Sequence, residues 1–227
     1  MTGTPPLLVF DLDGTLAETA GDLFAALNVV LAQEGCPQLP VEEARSLLGA
    51  GGRVLIQRGL AEVGRSVTPE RLEELFSLFL AHYNAHIADH SFLFPGLVPS
   101  LDKFEQAGWG FSICTNKMEQ SAHKLMKALG AAHRFRFICG QDTFGVGKPN
   151  PLPLIKTIEA SGGTLRRSIM IGDSRTDIDT AKAAGIPVVA VDFGYTDLPV
   201  ATFNPDKVIS HFDDLWDAVA EIELVTP

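Results

Sequence analysis

The stretch Leu7-Leu8-Val9-Phe10-Asp11-Leu12-Asp13-Gly14-Thr15 decides how the rest of the chain reads. Four apolar residues run straight into two acids, a glycine and a hydroxyl. A run so short and wholly apolar is the pattern of a strand buried on both faces, and such strands belong to parallel sheets. The pattern returns at Phe111–Cys114 before Thr115, at Phe135–Cys139 before Gly140, at Ser168–Ile171 before Gly172-Asp173, and at Pro187–Val191 before Asp192. Between these runs lie segments of helical spacing, at 97–107, 117–129, 151–160 and 174–184. Gly108, Gly130 and Gly185 stand just past three of them, where helices commonly stop. The repeated βα alternation predicts an α/β fold, a doubly wound parallel sheet with a Rossmann-like core.

The residues between the first strand and the second have another texture. Segments 20–34, 41–48, 52–64 and 69–88 carry helical spacing and almost no strand signal. Leu72, Leu75, Phe76, Phe79, Leu80 and Tyr83 form one apolar stripe, which reads as a core face. A crossover needs only about a dozen residues beyond its strand. The surplus therefore predicts an inserted helical domain at residues 18–92, interrupting an α/β core at 1–17 and 93–227.

With 227 residues, 46% of them apolar, the chain can bury a substantial core, which excludes disorder and disulfide scaffolds. Its 28 acidic against 18 basic residues, a net charge of −10, exclude a general nucleic-acid binder, whose footprint is basic. Cys36, Cys114 and Cys139 show no CxxC pairing, and Cys114 and Cys139 read as small buried hydrophobes. The N-terminal residues show no basic, then apolar, leader pattern, and no stretch is long and apolar enough to span a membrane. A cytoplasmic protein with no membrane or nucleic-acid partner is the expectation, as monomer or homodimer.

Ligands of open α/β sheets bind beyond the carboxyl ends of the strands. The residues that punctuate the apolar runs should therefore converge: Asp11, Asp13, Thr115, Asn116, Lys148, Asp173 and Asp177. Four carboxylates in one crevice would repel strongly at low dielectric, and a hard divalent cation among them resolves this. Oxygen-only ligands with room for water suit Mg²⁺.

Asp-Leu-Asp-Gly-Thr-Leu at 11–16, Thr115-Asn116, Lys148-Pro149 and Gly172-Asp173-Ser174 followed by Asp177 occur in that order. This set resembles the haloacid dehalogenase superfamily of phosphohydrolases. Tyr83, His86, Asp89-His90, Phe94-Pro95-Gly96 and Gly194-Tyr195 further resemble its phosphoglycolate phosphatase-like members. The resemblance implies a phosphatase for a small anionic phosphoester, most closely 2-phosphoglycolate. Asp11 would be the nucleophile, forming an aspartyl-phosphate, and Asp13 the general acid and base. The metal would be held by the Asp11 side chain, the Asp13 backbone carbonyl and Asp173, with Asp177 in support of the metal waters or the lysine. Lys148 would supply a point charge to the phosphoryl oxygens, and Thr115 a hydroxyl. The backbone N–H groups of Thr115 and Asn116, opening a helix, would bind the anion. Gly14 would allow tight backbone passage beside the phosphate. Because a halide leaving group needs no proton, Asp13 argues for phosphate and not carbon–halogen chemistry.

The insertion resembles the family's mobile cap. Its basic residues are all arginine, and Arg53, after Gly49-Ala50-Gly51-Gly52, is the one that most suggests a substrate anion contact. Arg175 and Lys117, beside the core motifs, are alternative contacts. A sugar phosphomutase or a pyrophosphatase on the same scaffold, or a catalytically idle binding protein, are the competing readings. Glu18-Thr19 stands where relatives often carry Asp-Ser, and Thr176 where Asn is frequent. His82, His86 and His90 recur every four residues, but the glutamate of a zinc HExxH helix is missing.

Overall fold

The computed structural model describes residues 4–41, 45–196 and 198–222. In chain order the strands are β1 (Leu7–Phe10), β2 (Ala17–Glu18), β3 (Phe92–Leu93), β4 (Gly110–Cys114), β5 (Ile138–Cys139), β6 (Ser168–Gly172), β7 (Val188–Val191) and β8 (Lys207–Ile209). The described α-helices are α1 (Ala20–Gln33), α2 (Gly52–Glu62), α3 (Pro69–Ala85), α4 (Leu97–Gln106), α5 (Glu119–Ala128), α6 (Leu152–Ala160), α7 (Arg175–Ala184) and α8 (Leu215–Ala220). Six strands form one sheet in the order β5-β4-β1-β6-β7-β8, every pairing parallel. The chain builds outward on one side of β1, then crosses to the other, which makes the sheet doubly wound.

Alternation along β1 sets the two layers. Leu8 and Phe10 join a cluster with Leu101 and Phe104 of α4 and Leu125 of α5. Leu7 and Val9 turn to the opposite face, against Leu154 and Ile158 of α6 and Ile178 of α7. All four are fully buried, as a strand covered on both faces must be. Gly185 ends α7 at φ 71°, a left-handed conformation that glycine adopts without steric cost.

Several sequence expectations need correction. The strand expected at 135–139 contracts to Ile138–Cys139. It is the edge of the sheet, so Arg136 stays exposed there, its guanidinium lying over Gly110 and donating to the Ser161 carbonyl at 3.4 Å. Strand β8 was not foreseen, because three residues opening on a lysine carry no readable period. The helix expected from 117 starts at Glu119, since the Lys117 N–H already donates to Thr115 Oγ1 at 3.2 Å. Of the segment 41–48, a single 3-10 turn at Arg45–Leu47 is described, and residues 42–44 lie outside the described residues.

A short antiparallel ribbon, with Ala17 opposite Leu93 and Glu18 opposite Phe92, brackets the helical insertion. Within it α1, α2 and α3 pack on one another. Thr68 caps α3 by accepting from the Arg71 N–H at 3.3 Å, and Pro69 occupies its first turn. Leu72, Leu75, Phe76, Phe79 and Tyr83 are buried and Leu80 half-buried, as a core stripe requires. The C-terminal part of that stripe also walls a cavity. Leu27 of α1 meets α2 so closely that a Cβ on Gly59 would lie 2.8 Å from Leu27 Cδ1. No described helix is long and apolar enough to cross a membrane.

Leu27 is fully buried in this contact. Leu27→Ala should destabilise the protein by about 2–5 kcal/mol in urea unfolding. A loss below about 1 kcal/mol would show that α1 is not held by α2 in solution.

Candidate active site

β4, β1 and β6 are neighbours in register, with Ile113 and Ile171 flanking Phe10. Their carboxyl ends therefore deliver Thr115, Asp11 and Asp173 to one place. The loop carrying Lys148 reaches the same place because Asn116 clamps it: Asn116 Nδ2 donates to the Lys148 carbonyl at 3.0 Å, and Asn116 Oδ1 accepts from the Lys148 N–H at 2.8 Å.

Lys148 Nζ lies 2.5 Å from Asp177 Oδ1 and 2.9 Å from Asp11 Oδ1. The approach to Asp11 is an ion pair set off the hydrogen-bond direction, so Asp11 Oδ1 is buried without a hydrogen-bond partner. Asp177 is fully buried, and its Oδ2 accepts from the N–H and hydroxyl of Ser174 at 3.1 and 2.7 Å. One carboxylate thus caps α7 and holds the lysine. Asp173 Oδ1 accepts from Thr15 Oγ1 at 2.9 Å, and its Oδ2 accepts from the Tyr195 N–H at 2.6 Å. Gly14, at φ 80°, passes so close that a Cβ there would sit 2.4 Å from Asp173 Oδ2. Asp13 turns away from this cluster. Lys117 Nζ donates to both of its oxygens, at 2.7 and 2.8 Å, and Thr19 Oγ1 donates to Oδ1 at 2.7 Å.

Burial pushes the Asp11 carboxyl up to about 6, against the pull of Lys148. Burial, then Asp177 and Asp11, push Asp173 well above the usual carboxylate range. Burial works against the Lys148 ammonium too, but Asp11 and Asp177 outweigh it and its pKa is raised. Asp11, Asp173 and Asp177 each bring an oxygen within 4.8 Å of the others. Four carboxyl groups face two ammonium groups, and full ionisation of all four would leave two negative charges unbalanced. Hard oxygen donors on three converging carboxyls, and more carboxyls than ammonium groups, fit a divalent cation. The cluster can hold a metal ion.

Comparison with known proteins agrees with this geometry. Residues 8–191 match the family model described as haloacid dehalogenase-like hydrolase. The chain belongs to the haloacid dehalogenase-like hydrolases. It is 49% identical over 216 residues to a phosphoglycolate phosphatase of Mesorhizobium japonicum, covering 95% of each chain. It is 40% identical to one of Agrobacterium fabrum, covering 97% of this chain and 96% of that one. A solved structure described as a predicted phosphoglycolate phosphatase, from Haemophilus somnus, is similar at TM-score 0.87 and 26% identity, over 96% of this chain and all of that one. CbbY from Rhodobacter sphaeroides, solved in complex with phosphate, is similar at TM-score 0.78 and 25% identity, over 93% and 96% of the two chains. This hydrolase is phosphoglycolate phosphatase-like over nearly its whole length.

The fold brings Asp11, Asp13, Gly14, Thr115, Asn116, Lys148, Asp173 and Asp177 of the hydrolase together. It does not bring the two arginines. Arg53 forms a bidentate pair with Glu73 at 2.7 and 2.8 Å and stacks over Phe76, on the outer surface of the insertion. Arg175 is 70% exposed and pairs with Asp179 along α7. Neither lines the cavity above Asp11 and Asp13. The Asn116 side chain is spent on the Lys148 loop, and Thr115 and Asn116 precede α5 instead of opening it. Thr15, Thr19 and Tyr195 were missed as site residues. Thr15 was visible inside the first motif. The contact of Tyr195 with Asp173 is made by its backbone, which no side-chain pattern reveals.

Asp11 in this hydrolase is raised from 3.8 to about 6, so without metal it favours the folded state below that range and withdraws support as pH rises through 6. Calorimetry in EDTA should give a Tm that falls from pH 4.5 to pH 7.5, and Mg²⁺ added at pH 7.5 should restore it. A Tm that rises over that interval and ignores Mg²⁺ would contradict the charge balance described.

Proposed function

We propose that this hydrolase is a Mg²⁺-dependent phosphatase that cleaves a small phosphomonoester, 2-phosphoglycolate, through an aspartyl-phosphate. The observation that carries the reading is the second acid. Asp13 lines the same cavity as Asp11 and is paired to its own lysine, which supports its serving the leaving group of an ester on Asp11. The relatives named phosphoglycolate phosphatase support the choice of substrate.

In the first displacement the Asp11 carboxylate attacks phosphorus. A bond forms between an Asp11 oxygen and phosphorus, and the bond from phosphorus to the ester oxygen breaks. Asp13, entering this step in its protonated form, gives that proton to the departing alkoxide, which releases the alcohol and leaves the Asp13 carboxylate paired with Lys117. In the second displacement Asp13 takes a proton from a water that attacks the aspartyl-phosphate. The phosphorus–Asp11 bond breaks, freeing inorganic phosphate and the Asp11 carboxylate. Lys148 places positive charge at the phosphoryl oxygens, and Thr115 places a hydroxyl there. Asp177 keeps Lys148 charged and oriented. Asp11, the Asp13 carbonyl and Asp173 would hold Mg²⁺, which supplies charge neutralisation to the phosphoryl group when bound. Residues 18–92 act as a cap that excludes water from the site over the core at 1–17 and 93–227. The free thiols Cys114 and Cys139, paired in register on β4 and β5, suit a reducing cytoplasm.

Asp11→Asn should fold with an unchanged circular dichroism spectrum and release no phosphate. Turnover near the wild-type rate would remove Asp11 from the mechanism. Phosphate release from a panel of 2-phosphoglycolate, sugar phosphates, nucleotides and pyrophosphate should be greatest, per KM, with 2-phosphoglycolate. It should stop on chelation and return with Mg²⁺. A preference for pyrophosphate or a hexose phosphate would overturn the substrate assignment, and activity that survives chelation would overturn the metal.

A further inference from the structure

The cavity above Asp11 and Asp13 is walled largely by apolar side chains, among them Leu23, Leu48, Leu55, Phe76 and Phe79. Among the described residues lining it, Lys117 is the one cation. Lys117 is buried, and two of its three N–H donors are spent on the Asp13 carboxylate. Its ammonium stands 4.6 Å from the centre of the Tyr83 ring.

Tyr83 is only 1% exposed, and its hydroxyl has no well-aligned hydrogen-bond partner, with the Lys117 ammonium beside it. A buried hydroxyl without a partner is costly, and phenylalanine would fill the same space without that cost. The rest of the stripe on α3 shows this: Phe76 and Phe79 precede it, and Phe79 stacks on the Tyr83 ring at 6.0 Å. The hydroxyl is therefore not explained by packing. It belongs to a side chain that lines the cavity beside Lys117 and close to Asp13. Burial pushes this phenol up to about 12, so it is a neutral donor at physiological pH.

We propose that the Tyr83 hydroxyl and the third N–H of Lys117 form the receptor for the carboxylate of the substrate. The proposal rests on the phosphatase reading given above. In 2-phosphoglycolate a single carbon separates the ester oxygen, which Asp13 serves, from the carboxylate. A donor pair adjoining Asp13 is where that carboxylate falls. The receptor is built from the core (Lys117) and the insertion (Tyr83) together, so the carboxylate bridges the two. Arg53, the contact expected from sequence, is replaced in this role. Selectivity follows from leaving a polar receptor unpaired when the ligand has no carboxylate.

The test uses Tyr83→Phe, with 2-phosphoglycolate and its neutral analogue 2-hydroxyethyl phosphate in the presence of Mg²⁺. Y83F should lower kcat/KM for 2-phosphoglycolate about tenfold, chiefly through KM, and change that for 2-hydroxyethyl phosphate less than about twofold. Its Tm should equal or exceed that of the wild type. Equal losses on the two esters, no loss on 2-phosphoglycolate, or a lowered Tm would return Tyr83 to a structural role. Titration calorimetry in the Asp11→Asn background separates this result from the fate of the phosphatase reading. There D11N should bind 2-phosphoglycolate more tightly than 2-hydroxyethyl phosphate, and D11N/Y83F should lose about tenfold of that difference. If the binding preference follows Tyr83 while the wild type releases no phosphate, the receptor stands and the catalytic reading falls. If the wild type turns over 2-phosphoglycolate and Y83F keeps the full preference, the receptor falls alone.

Discussion

Lys148 and Asp177 meet at 2.5 Å where neither side chain has appreciable contact with water. Removing two such ions from solvent costs several kcal/mol each, and only close pairing with further hydrogen bonds offsets it. Both conditions hold here. Asp177 also lies in the first turn of α7 and accepts from the N–H and hydroxyl of its N-cap, Ser174, which fixes its carboxylate at the start of the helix that follows β6. Lys148 is held from behind by the Asn116 amide, which fixes it to the end of β4. The pair therefore ties two strands on opposite sides of β1, and Asp11, at the end of β1, lies against it. The sheet places the nucleophile candidate, and this buried contact sets the charge it faces.

The same contact explains why the site stays short of positive charge. Lys148 is shared between Asp177 and Asp11, and Lys117 is committed to Asp13. Asp173 has hydrogen bonds from Thr15 and the Tyr195 backbone but no ammonium partner among the described residues. Burial first, and then the neighbouring carboxylates, raise Asp11 and Asp173, and a divalent cation would relieve both. The overall charge of −10 says little about this, because buried groups are governed by neighbours a few ångströms away.

Much of the fold was legible because buried parallel strands are short apolar runs, and here each ends on a polar residue or a glycine. Asp11, Thr115 and Asp173 each follow such a run directly, so their convergence follows from the sheet alone. Lys148 was expected among the converging residues, but it follows no strand directly: it sits on a loop whose path is set by the Asn116 clamp. Strand β8 and the shortened β5 were not legible: edge strands carry weak periodicity and tolerate exposed charge, as Arg136 does. The arginines misled for a physical reason. A guanidinium near a glycine loop suggests an anion, but Glu73 on α3 lies within reach of Arg53 and takes it. Pairing across helices cannot be read from either helix by itself. The apolar stripe of α3 concealed a further distinction, because a residue can serve the core with its ring and the cavity with its hydroxyl.

Tyr195 touches both parts of the molecule. Its backbone N–H holds Asp173, while its phenol oxygen accepts from the N–H groups of Thr19 and Ala20, at 2.6 and 2.9 Å, and donates to Glu18. Those three residues are where the chain leaves the sheet for α1. Thr19 in turn donates to Asp13. A rotation of α1 away from the sheet would break both bonds to the phenol and the bond to Asp13 in a single movement. Were the insertion to open by such a rotation, the hold on Asp13 would slacken in the same movement, geared through a single aromatic residue.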